Sequence, residues 1–169
     1  VATAPKAEKI KLKVEDLKGK DLRSVALPFT WGPYTWYNPP TAPPGTYYGY
    51  NPITLITTFT AQRTYVLTSA RYTFAGGHGN SATLRVGLSP NPAAYAGGSV
   101  GVELINCVLR LKQFEESTVQ EFINWDPYVW YLPIGSTISI LGELWAFPWE
   151  LSWIYGVVQL YLMETFEQG

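Results

Sequence analysis

The chain has 169 residues, 47% apolar and 15% charged, with a formal net charge of −1. That length fits one domain with a sizeable core, and the near-neutral balance excludes a general attraction for nucleic acid or acidic substrates. A lone cysteine excludes an internal disulfide framework, and no run of eighteen apolar residues is present to cross a bilayer as a helix.

The neutral sum conceals an asymmetry: residues 1–23 carry seven basic against four acidic side chains, and the remainder carries five against nine. Residues 1–28 therefore read as a basic N-terminal arm with an edge strand, and no signal-peptide pattern marks the start of the chain as given. Within the arm, Lys9 to Val14 alternates apolar and charged at the strand period. Ile10, Leu12 and Val14 are expected to face a core, with Lys9, Lys11 and Lys13 outward, where lysines guard a sheet edge against adding another chain. The rival role for these lysines is contact with phosphate, on lipid headgroups or on nucleic acid.

Residues 29–51 read as a proline and aromatic loop. The stretch Phe29–Tyr50 holds eight of the 26 aromatics, and Pro33, Pro39, Pro40, Pro43 and Pro44 forbid a helix and leave no room for a central strand. So many rings on such a backbone are expected to cover one end of the core or to meet a partner.

Residues 52–169 read as the body of a β-barrel. Strand patterns fall at Ile53–Thr60, Arg63–Phe74, Ala82–Leu88, Val100–Lys112, Val119–Asn124, Tyr128–Leu132, Ser136–Trp145 and Leu151–Met163. In the second of these, alternation sets Tyr65 and Leu67 on one face and Val66, Tyr72 and Phe74 on the other. Gly76–Asn80 is a turn by composition, and residues 89–99 form a long loop. No segment sustains a 3.6-residue period with caps. The expected fold is all-β: a single domain, a jelly-roll barrel or sandwich of about eight antiparallel strands with little or no helix.

The last strand is apolar on both faces, with Trp153, Tyr155, Val157 and Tyr161 on one and Ile154, Val158, Leu160 and Leu162 on the other. A sandwich strand is normally polar on its outer face, so this one is expected to be covered, by the aromatic stretch or by a neighbouring subunit. Trp145, Trp149, Trp153, Tyr155 and Tyr161 are accordingly the candidate subunit interface.

Catalytic chemistry finds little support. His78, the sole histidine, sits on a glycine-rich turn, which excludes a metal site built on several imidazoles and holds a general base poorly. Cys107 shares the apolar face of Ile105 and Leu109 and reads as a small buried hydrophobe; facing outward, it could bridge subunits. No phosphate-cradling glycine motif is present. Glu103, Glu121 and Glu143 lie in strand patterns and would serve a glycosidase only if two of them converged across a concave sheet. The reading is a non-enzyme without metal, cofactor or small-molecule substrate.

Taken together, the lysine-alternating Lys9–Val14, the loop Phe29–Tyr50 and the strands Ile53–Met163 resemble a viral coat protein of the single jelly-roll kind. The family it is most similar to is the smaller of two major capsid proteins of tailless, membrane-containing icosahedral phages of Thermus. The resemblance implies a virion component from a thermophile's phage, assembled in the host cytoplasm. It implies a homodimer that packs beside a second capsid protein, with the arm of Lys9, Lys11 and Lys13 toward membrane headgroups and no specific nucleic acid bound. The alternative is a carbohydrate-binding β-sandwich that stacks exposed Trp and Tyr on sugar rings.

Overall fold

β-branched and aromatic residues at alternate positions favour extended chain, and strands account for nearly all the regular structure. The computed structural model describes residues 7–11, 22–34, 46–48, 53–88, 102–111, 115–146 and 150–164, with the backbone alone at 46–48. In chain order the strands are β1 (Glu8–Lys11), β2 (Leu22–Tyr34), β3 (Thr46–Tyr48), β4 (Ile53–Thr60), β5 (Tyr65–Gly77) and β6 (Gly79–Leu88). They continue as β7 (Val102–Arg110), β8 (Glu116–Asn124), β9 (Tyr128–Leu132), β10 (Thr137–Ala146) and β11 (Ser152–Glu164). No helix occurs among the described residues.

Two antiparallel sheets result. One runs β1-β9-β5-β11-β2 with β8 also on β5, and the other runs β3-β4-β10-β6-β7. β8 covers Ser69–Gly77 of β5 and β9 covers Tyr65–Leu67, so the two form one line, interrupted around the cis Asp126–Pro127 peptide. With β1 and β3 set aside as short edge additions, eight principal lines remain. Four of them, β2, β11, β5 and β8–β9, face the other four, β4, β10, β6 and β7. This alternation of early and late strands in each sheet is the winding of a jelly roll, and the expected all-β fold is the observed one.

The core fills the space between the sheets. Ile154, Val158, Leu160 and Leu162 of β11 point inward, and Ile138, Ile140 and Leu144 of β10 answer from the facing sheet; all are almost completely buried. Phe29 on β2 reaches between Gly156 on β11 and Gly142 on β10, whose missing side chains give its ring room.

Three local expectations change. Residues 29–34 are the end of β2 rather than loop, paired through Trp31 with Ile154 on β11. An edge strand tolerates Pro28 and Pro33 because its outer N–H groups have no ladder partner to lose. Residues 35–45 and 49–51 of the aromatic stretch lie outside the described residues. In β5, the register slips between Ser69 and Leu67, and the hydroxyl of the extra residue, Thr68, donates to the Tyr161 carbonyl at 3.2 Å. This bulge moves Leu67 to the inner face beside Tyr72 and Phe74, where strict alternation had set it opposite. On β1, Lys9 pairs with the core residue Trp130 and Ile10 with Val129, so the lysine and isoleucine faces are exchanged relative to expectation.

Candidate interaction surface

The outward side chains of β2, β11, β5 and β8 build one broad face. Antiparallel pairing puts Tyr155, Val157, Gln159 and Tyr161 of β11 beside Thr30, Pro28, Ala26 and Ser24 of β2. On the other flank they meet Ala75, Thr73, Arg71 and Ser69 of β5, and beyond these Thr118, Gln120, Phe122 and Asn124 of β8. Phe122 is 54% exposed and Tyr155 42%, with Leu22 open at the β2 end. Phe122 and Tyr161 meet with ring centroids 6.3 Å apart, and the Arg71 guanidinium lies 5.8 Å over the Phe122 ring. Tyr161 also has its hydroxyl 3.3 Å from Gln159 Oε1. Among the described residues Arg71 is thus the only charge in the middle of the face, and it is spread over an aromatic ring.

A hollow of about 280 Å³ opens at the seam between the sheets, where β2 passes β4. Pro28, Phe29 and Thr30 line one wall, Leu55, Ile56 and Thr57 the other, and Tyr155 stands at its border with the outer face.

The interface candidates separate in space. Tyr155 and Tyr161 share the face just described. Trp153 lies on the same side of β11 but folds onto its own sheet: a Cβ added to Gly77 would meet the indole Cε2 at 2.7 Å. Trp145 projects from the outer side of the other sheet, 37% exposed, with its indole N–H donating to Glu143 Oε1 at 3.0 Å. Trp149 lies outside the described residues. The alternation of the last strand found the face; the contribution of Phe122 was missed, because β8 carries only one large ring among polar outward neighbours.

Of the arm lysines, Lys9 and Lys11 are exposed on β1, and Lys13 lies outside the described residues. Lys9 Nζ sits 4.9 Å from the Tyr128 ring centroid and 5.9 Å from that of Trp130. Trp130 in turn meets Trp125 edge-on at 6.3 Å.

The three glutamates do not converge. Glu103 on β7 pairs with Arg85 Nε at 3.0 Å, Glu143 on β10 takes the Trp145 N–H, and Glu121 on β8 accepts from the Tyr72 hydroxyl. Cys107 is a free, half-buried thiol on the inner side of β7, and burial pushes its pKa up. Among the described residues no group of three or more His, Cys, Asp or Glu side chains is arranged to hold a metal ion. His78 adopts φ 55° in the β5–β6 turn, with Glu116 and Glu150 on either side of its ring.

The fold is thus a jelly-roll β-sandwich, and Leu22, Phe122 and Tyr155 are exposed on one of its sheet faces. No family model matches the sequence, and no curated protein does. Among solved structures, the chain aligns with the K3 cleaved adhesin domain of Lys-gingipain from Porphyromonas gingivalis w83 at 12% identity. That alignment covers 94% of this chain and 91% of the other, with a TM-score of 0.34.

Proposed function

We propose that this chain is a coat protein: a jelly-roll subunit that catalyses nothing and associates with copies of itself through the outer face of β2, β11, β5 and β8. The observation that supports this most is the exposure of Phe122 and Tyr155 with Leu22 and Pro28 on one sheet face, where a solitary sandwich normally presents polar side chains. Exposed apolar side chains on a sheet face suit packing of repeated copies, and the near-zero net charge limits repulsion among them. In its fuller form the reading has these copies tile an icosahedral shell beside a second coat protein. Lys9, Lys11 and Lys13 then lie toward the anionic headgroups of an enclosed membrane. Sedimentation at micromolar concentration tests the first step: Phe122→Ser with Tyr155→Ser should shift the protein toward monomer.

A second reading, a sugar-binding sandwich, draws on one observation. Tyr155 borders a hollow that also carries the hydroxyl-bearing residues Thr30 and Thr57. Aromatic stacking beside hydroxyl partners is a common way to hold a sugar ring. A monomer that is retained on a polysaccharide affinity gel, and released by Tyr155→Ala, would favour it over assembly.

A further inference from the structure

Among the described residues β7 pairs with β6 alone, which leaves its other edge open at the end of the sheet. An open edge presents a row of unpaired N–H and C=O groups and invites another strand. Elsewhere such edges are guarded, by Lys9 and Lys11 on β1 and by Pro28 and Pro33 on β2. The middle of β7, Leu104–Leu109, carries neither a charge nor a proline, and Val108 is 58% exposed on its outer side. The charges of β7 stand toward its ends, Glu103 at the start and Arg110 at the finish.

A bulge brings these two charges to one face. Arg110, Val108 and Asn106 stand opposite Ser81, Thr83 and Arg85, alternate outward residues of β6. The register then slips between Val86 and Gly87, so that Glu103 rather than Leu104 stands opposite Gly87, the next outward position. Without that slip, Glu103 would lie opposite Leu88 and face the core. Glu103 Oε1 accepts from Arg85 Nε at 3.0 Å, and a carboxylate keeps lone pairs for a second cation on its other oxygen. Arg110 has no ion-pair partner among the described residues.

We propose that β7 is a second self-association site, at which the β7 edges of two copies pair antiparallel across a two-fold axis perpendicular to the sheet. Such an axis keeps the outer faces together and makes every contact reciprocal. With Glu103 set opposite the second copy's Arg110, the ladder puts Val108 opposite Asn106, Leu109 opposite Ile105, and Cys107 opposite its own copy on the axis. Opposite charges then meet at both ends, and the half-buried Cys107 and Leu109 are covered between them. In-register parallel pairing would set like charges together instead. One nine-residue edge offers less area than the roughly 1,200 Å² of a stable dimer, so this contact is weak alone, with a dissociation constant of about 0.1–1 mM. It lies in the other sheet from the outer-face contact proposed above and does not rest on it.

The background for the test is the full chain with Phe122→Ser and Tyr155→Ser, in which the outer face is disabled. Sedimentation equilibrium from about 50 µM to 1 mM should show a monomer at the low end and a reversible dimer at the high end. Adding Arg110→Glu, which sets like charges opposite one another at both ends of the ladder, should raise the dissociation constant about tenfold. Glu103→Lys on the same background should do likewise. An equimolar mixture of the two charge variants should form a heterodimer tighter than either variant forms with itself, because each acid again meets a base. Should Glu103→Lys fail to fold beside Arg85, the Arg110→Glu comparison decides alone. A background that stays monomeric at the highest concentration, an Arg110→Glu variant that dimerises as well as its background, or a mixture no tighter than its components overturns the proposal. A background that associates strongly at micromolar concentration overturns the outer-face reading instead, and the same charge variants on the wild-type chain then decide this one.

Discussion

The ring of Phe29 occupies the space that a side chain at Gly156 would need. A Cβ built on Gly156 falls inside van der Waals contact of three carbons of that ring, and one on Gly142, in the facing sheet, comes within 2.5 Å of its Cε2. One aromatic from the edge strand β2 is therefore keyed between the central strands of both sheets. Gly156→Ala should destabilise the fold by about 1–3 kcal/mol through overpacking. Phe29→Ala alone should cost about 3–5 kcal/mol. In the double variant the losses should fall short of their sum, since the added methyl enters the cavity left by the ring. Urea unfolding of the three variants measures this directly.

Tyr72 is buried on the inner side of β5, and its hydroxyl donates to Glu121 at the more open rim of β8. Burial first, then the hydrogen bond to Glu121, pushes the phenol far above its ordinary range. A raised value means the native state holds this proton more tightly than the unfolded chain. The associated stability is whole below pH 10 and drains away as pH rises beyond it. Tyr72→Phe should cost about 1 kcal/mol at pH 7 and make alkaline unfolding shallower, read by circular dichroism between pH 9 and 12.

How much of this was legible in the sequence follows from what alternation can and cannot carry. Period-two patterns located the eight strands from β4 onward and both faces of β11, because each such strand has a wet or crowded side and a core side. β2 was hidden by its prolines, which forbid a central strand but not an edge one, so Phe29 and Trp31 were assigned to a loop although they are core. The Thr68 bulge was invisible because one extra residue reverses the alternation beyond it, leaving Leu67 on the wrong side. Phe122 was overlooked for a different reason: its meaning comes from Tyr161 and Arg71 on strands distant in sequence. His78 sits in the β5–β6 turn as its glycine neighbours predict, and Glu116 and Glu150 approach it only through the β8 and β11 pairings.

Trp153 and Tyr155 are alternate residues on the same side of β11, but they should behave differently. Trp153 rests on Gly77 of its own chain, whereas the Tyr155 ring is open. Trp153→Ala should lower the thermal midpoint clearly and change association little. Tyr155→Ala should do the reverse. Paired melting and light-scattering measurements separate the two.

Glu164 closes the end of β11 against Arg63 at 2.7 Å and Arg23 at 3.4 Å. The hydrogen bond from Arg63 holds its carboxyl below the usual range. A depressed value contributes stability above the unfolded pKa of about 4.3, which disappears as pH falls through the lower native value. Glu164→Gln should therefore differ from wild type at pH 7 and converge with it in acid, by a margin that shrinks with added salt.

Self-association through the outer face of β2, β11, β5 and β8 is most directly tested by sedimentation velocity across micromolar concentrations. Wild type is expected to form dimers or larger species, and Phe122→Ser with Tyr155→Ser to sediment as a folded monomer with an unchanged far-ultraviolet spectrum. A wild-type chain that stays monomeric throughout that range, or a double variant that associates as strongly as wild type, would contradict it.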